Sequence, residues 1–322
     1  MGPGNRILVV VGRGLGTPAA VEQAATIARG LDIRALSALD IMPRLPREFL
    51  RLTPLFDCDE LHEAAASERQ AQIERYVRPL RERGFVVSVD VLFGPVFRTI
   101  VDLIGNDRHH IVFVPEDADG RIATVFQHDL RTRLVRRGVC SVCSVPCGAT
   151  GDLTHVAALL LWPPLRLGDG LVGETVLSFA AAAARPRSGS ITLVLSQRSQ
   201  GTQPAAAALR YWNRWLVGAL RKLEGERIPV QVEIFAHNSD ALACGSCADL
   251  LVISRSDAVS VSGRVRPRLK RDSCSLLVAP PGPFLAPAHV AREPEFSARA
   301  AAENTAALVN RDSRAPARLC AG

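Results

Sequence analysis

RHHIVFVPEDADGRIATVFQHDLRTRLVRRGVCSVCSVP, Arg108 to Pro146, holds four segments in a row. A short apolar run, Ile111–Val114, meets an acidic, Gly-containing loop, Pro115–Gly120. A helix-like segment follows over about Ala123–Arg137. A β-branched run, Val139–Val145, closes the passage. The flanking runs have the length of buried parallel strands, so the passage reads strand, loop, helix, strand. The plan returns in ADLLVISRSDAVSVSGRVRPRLKRDSCSLLVAP, Ala248 to Pro280. Leu250–Ile253 matches Ile111–Val114, the basic Arg264–Arg271 matches Arg131–Arg137, and Cys274–Val278 matches Cys140–Ser144. A unit repeated at this distance implies a duplicated domain.

The segments before each passage repeat too. Arg6–Val11 reads as a strand, followed by Gly12-Arg13-Gly14-Leu15-Gly16, with Thr17 as the expected cap of a helix from Pro18 to Arg29. Strand Ile33–Ile41, a Pro-rich excursion Met42–Cys58, a charged helix Asp59–Arg83, strand Phe85–Phe93 and helix Pro95–Ile104 complete the first half. The second half repeats the order: strand Leu153–Leu161, helix Leu171–Ala184, strand Ser190–Ser196, helix Pro204–Leu223, strand Val230–Phe235, helix Ser239–Cys247. Strands alternating with helices imply parallel sheets with right-handed crossovers. The expected organisation is α/β, with tandem doubly wound units over residues 1–149 and 150–280. A disordered Ala/Arg/Pro-rich tail follows over 281–322. Each unit would expose its closing strand, so Val139–Val145 and Cys274–Val278 are expected to meet.

The 322 residues carry 48% hydrophobic side chains and a net charge of +7, with a pI near 9.3. Lys222 and Lys270 are the only lysines, so Arg supplies the positive charge. Together with abundant Ala, this reads as a coding bias. The arginines are spread along the chain rather than gathered for nucleic acid, and none is expected as a partner. No apolar run reaches the ~20 residues that cross a bilayer. The start reads directly into a strand with no signal peptide, so a cytoplasmic protein without membrane attachment is expected.

The two halves resemble tandem universal stress proteins. The resemblance rests on ILVVV with its turn and Ala-rich helix, on VLFGPVFRTIVDLI, on HHIVFV and on LVRRGVCSVCSV, in that order. It implies strand order 3-2-1-4-5 in each unit and pairing through the fifth strands, here as an intrachain pseudo-dimer. Members of that family that bind ATP carry Gly-x2-Gly-x9-Gly-Ser/Thr after the fourth strand. Aligned on Cys140, those places hold Pro115, Ala118 and His128-Asp129, with acidic Glu116, Asp117 and Asp119 between. The family's Asp after the first strand is replaced by Gly12, and in the second unit Trp162-Pro163-Pro164 follow the strand. The resemblance therefore implies a degenerate nucleotide site.

The expectation is a non-enzymatic stress-response or regulatory protein that does not bind ATP tightly and needs no cofactor. If a nucleotide or anion binds, the candidates are Gly12, Arg13, Gly14, Gly16 and Thr17, where a flexible turn meets a helix start. The alternatives are a nucleotide-binding enzyme using that turn, with Asp40 as a ribose-binding acid, or a thiol-based redox sensor. No catalytic set and no metal set is expected. Cys140 and Cys143 are three apart in a strand and point to opposite faces. Cys244 and Cys247 share a helix face but read first as small packed residues. A partner protein and a further homodimer are left open.

Overall fold

The computed structural model describes residues 6–12, 16–43, 58–107, 109–116, 123–138, 140–162, 169–197, 206–258 and 274–279. The tail beyond Ala279, with the disorder expected for 281–322, the excursion 44–57 and the 259–273 segment lie outside the described residues.

The first half runs β1 Arg6–Val10, α1 Gly16–Gly30, β2 Ala35–Met42, α2 Cys58–Glu82, β3 Val86–Phe93, α3 Val96–Asp107, β4 His109–Pro115, α4 Ala123–Arg137 and β5 Ser141–Val145. The second runs β6 His155–Trp162, α5 Asp169–Ala184, a 3-10 turn Arg185–Arg187, β7 Ser190–Gln197, α6 Ala206–Gly225, β8 Val230–Phe235, α7 Asn238–Gly245, β9 Leu250–Ser254 and β10 Ser275–Ala279. The ten strands among the described residues join one sheet in the order β3-β2-β1-β4-β5-β10-β9-β6-β7-β8. Each half thus has the 3-2-1-4-5 order.

The halves meet where the closing strands pair. β5 and β10 run antiparallel, with Ser144 opposite Leu276, Cys143 opposite Leu277 and Val142 opposite Val278. The other strand pairs are parallel. Reversal at this one seam sends the carboxyl ends of the two sets of strands to opposite ends of the sheet.

Helices cover both faces, as continuous apolar parallel strands require. One face packs α1, α2, α5 and α6 on Ile7, Val9, Phe113, Cys143, Leu193 and Leu277. The opposite face carries α3 and α4 over Leu8, Val112 and Val142, and α7 over Ala157 and Leu251. Cys140 belongs to this second face and Cys143 to the first, as period-2 alternation dictates. Asp249 secures the start of the second sheet half: its carboxylate accepts from Thr154 N–H at 2.9 Å, Thr154 Oγ1 at 3.0 Å and His155 N–H at 2.9 Å.

Candidate functional site

Strand order reverses beside β1, so a crevice opens where β1 and β4 end, and the residues after them form its floor. Val11 extends the β1 ladder, its N–H donating to Leu39 C=O at 2.7 Å. Gly12 follows. Its carbonyl accepts from Thr17 Oγ1 at 3.0 Å and from an Arg69 guanidinium nitrogen at 2.7 Å. Arg69 also pairs through Nε with Asp40 Oδ2 and donates to Gln72 Oε1 at 2.8 Å. Both charges are buried, at 8% and 9% exposure, so each depends on the other.

This arrangement changes two sequence-based readings. Thr17 does not precede the helix as its cap: α1 begins at Gly16, and the Thr17 hydroxyl reaches back to Gly12. Asp40 stands at the end of β2, as a ribose-binding acid would, but its carboxylate is bound to Arg69. Of the five candidate residues, Gly12, Gly16 and Thr17 are brought together; Arg13 and Gly14 lie outside the described residues.

Arg69 is the residue that sequence reasoning missed. A signal was present. Ala65, Arg69, Ile73 and Val77 are four apart, on one face of α2, and Ile73, Val77 and Leu80 are buried. A charge inside an apolar stripe requires a partner, but nothing local in sequence names Asp40, 29 residues away.

The β4 side of the crevice is held just as firmly. Glu116 N–H donates to Val145 C=O at 2.7 Å. Its carboxylate accepts from Arg131 at 2.8 Å and from Ser144 Oγ at 2.7 Å. The Cys147 thiol donates to Glu116 C=O. Gly16 approaches this loop so closely that a Cβ there would lie 2.9 Å from Glu116 O and 3.4 Å from Pro115 Cβ. The two cations described at this edge, Arg69 and Arg131, thus each face a carboxylate.

The corresponding edge of the second half is built differently. Trp162 is the last residue of β6 rather than the first after it. Ser196 Oγ donates to Asn238 Oδ1 at 2.5 Å. Arg255, directly after β9, turns its guanidinium to the Arg136 carbonyl at the end of α4. A position that could face a ligand therefore ties the halves together.

Burial pushes the Cys140 thiol up to about 12, and the Cys143 thiol up as well, which keeps both protonated. Among the described residues, no three His, Cys, Asp or Glu side chains are placed to hold a metal ion. His155 Nε2 lies 2.8 Å from Thr192 Oγ1, and His62 packs on the Phe93 ring. No helix among the described residues is long and apolar enough to cross a membrane.

No protein-family model and no curated protein matches the sequence. Solved structures do match. A universal stress protein from Archaeoglobus fulgidus DSM 4304 superposes with a TM-score of 0.56 at 13% identity, covering 86% of this chain and 96% of that one. A protein of unknown function from Pseudomonas aeruginosa PAO1 superposes with a TM-score of 0.55 at 16% identity, covering 86% and 92%. Such coverage spans both halves. With the 3-2-1-4-5 order present twice and the fifth strands joined, the chain has the fold of a tandem universal stress protein.

Proposed function

We propose that the chain is a non-enzymatic stress-response or regulatory protein of the universal stress type that does not hold ATP tightly. One observation carries this reading: the described charged groups at the edge of the first crevice are paired with one another. Phosphate capture at a sheet edge needs close backbone approach and positive potential that nothing else has neutralised. Here Gly12 offers a carbonyl already bound twice, and Arg69 is committed to Asp40. Glu116 turns its charge to Arg131. In the second half, Arg255 is engaged with α4. The likeness in fold to the archaeal universal stress protein supports the class. Cys140, Cys143, Cys244 and Cys247 are thiols, which fits a reducing compartment, and we place the protein in the cytoplasm on that ground.

Calorimetry with ATP and magnesium tests the reading. The expected result is no saturable heat in the low-micromolar range. Saturable micromolar binding that is lost in Gly14→Val would overturn it in favour of a nucleotide-binding protein using the Gly12–Gly16 turn.

A further inference from the structure

The edge of the second half carries a group of side chains that this reading does not use. Cys244 lies in the last turn of α7, and its thiol donates to Glu233 Oε2 on strand β8 at 3.1 Å. Cys247 follows three residues later and is exposed. Its N–H donates to the Cys244 carbonyl at 3.1 Å, which closes a turn. Residues that close such a turn have Cα atoms less than about 7 Å apart. A disulfide spans Cα separations of about 4.4–6.8 Å, so the backbone already holds the pair within reach. The intervening Gly245 and Ser246 leave the turn short.

We propose that Cys244 and Cys247 form a reversible internal disulfide by exchange with a small-molecule disulfide, with Glu233 as the base for ring closure. The order of steps follows from exposure. Cys247 loses its proton to solvent, and the thiolate attacks one sulfur of the small disulfide. A mixed disulfide forms, and the other half leaves as a thiolate that takes up a proton from solvent. Cys244 then gives its proton to Glu233 Oε2 and attacks the Cys247 sulfur, and the second half leaves and takes up a proton. The two protein thiols are oxidised by two electrons, and one small disulfide is reduced to two thiols.

The surroundings explain why a base is needed. Cys244 sits at a helix carboxyl end, where the dipole opposes a standing thiolate. Burial and the neighbouring Glu233 push the Cys244 thiol up to about 12. Cys244 is therefore no spontaneous nucleophile and reacts only with a carboxylate in hydrogen-bond contact to receive its proton. Closure also removes the thiol that ties α7 to β8, so oxidation is felt at the sheet edge.

The test uses the full chain with oxidised glutathione under native conditions, quenched with acid and digested with trypsin. The peptide Ile228–Arg255 contains both cysteines and no other. In the wild type this peptide is expected to become lighter by two hydrogens, and to recover on reduction. In Cys247→Ser, Cys244 is expected to carry no glutathione. In Glu233→Gln, glutathione is expected to accumulate on Cys247 while ring closure slows by at least about tenfold. If Glu233 acted only through its charge, its removal would ease ionisation of Cys244 and speed closure. Unmodified cysteines, two separate glutathione adducts on the wild-type peptide, or closure unchanged or faster in Glu233→Gln would each overturn the proposal.

Discussion

Removing the Arg69 side chain leaves the Asp40 carboxylate buried beside β1 with nothing to balance it. Breaking one side of a buried ion pair costs far more than the pair contributes, typically about 3–5 kcal/mol. Arg69→Ala is expected to lose about that much, read as a lower urea midpoint at unchanged slope. Replacing both partners, Arg69→Met with Asp40→Leu, is expected to recover most of the loss, because apolar groups need no partner there. A loss below about 1 kcal/mol in the single variant would mean that water reaches Asp40 and the crevice is open. At this scale the sequence was legible only in part. The place of Gly12 just past β1 could be read from the apolar strand before it. The ion pair could not, because its members come from a strand and a helix that meet only through the fold.

Elements were more legible than their partners. The bounds expected for α4 and β8 match the structure, Ala123–Arg137 and Val230–Phe235, because a Gly or Pro lies at or near their ends. The abundant Ala invites a reading as coding bias, yet in α1 and α5 it is a packing requirement. Ala180–Ala184 are all buried, as are Ala20, Ala24 and Ala28, and the first helices of the two halves pack on each other. At their crossing a Cβ on Gly30 would lie 1.8 Å from the Ala182 carbonyl oxygen, inside backbone that cannot rotate away. Two effects compete in Gly30→Ala. Helix propensity favours Ala by up to about 1 kcal/mol. Overpacking against backbone costs about 1–3 kcal/mol and should win. Gly105 in α3 is the control, since a Cβ there meets nothing within 4 Å. Thermal unfolding should show Gly30→Ala melting lower than the parent and Gly105→Ala no lower. Equal melting of the two variants would mean that α1 and α5 do not touch at Gly30.

At the scale of the whole molecule, the duplication could be read from the repeated passage, and the need to cover two closing strands from edge chemistry. What periodicity could not supply is how strongly the halves depend on the seam. Three residue pairs align across β5 and β10, and Leu277 and Cys143 at its centre are fully buried. The seam is reinforced on both sides. On one, Gln23 in α1 donates to the Thr150 carbonyl of the connecting segment at 2.7 Å, and Arg185 donates to the Gly30 carbonyl at 2.6 Å. On the other, Arg255 reaches the end of α4. An interface drawn from the main core resembles an obligate dimer cut from one domain, which holds without a covalent link. A protease site placed at Thr150–Asp152 should therefore give two fragments that stay together in size-exclusion chromatography. Leu277→Asp buries a charge opposite Cys143 with no partner, and the cleaved variant should separate or precipitate. Cleaved fragments that part without the substitution would show that the connecting segment, not the β5–β10 seam, holds the halves in one sheet.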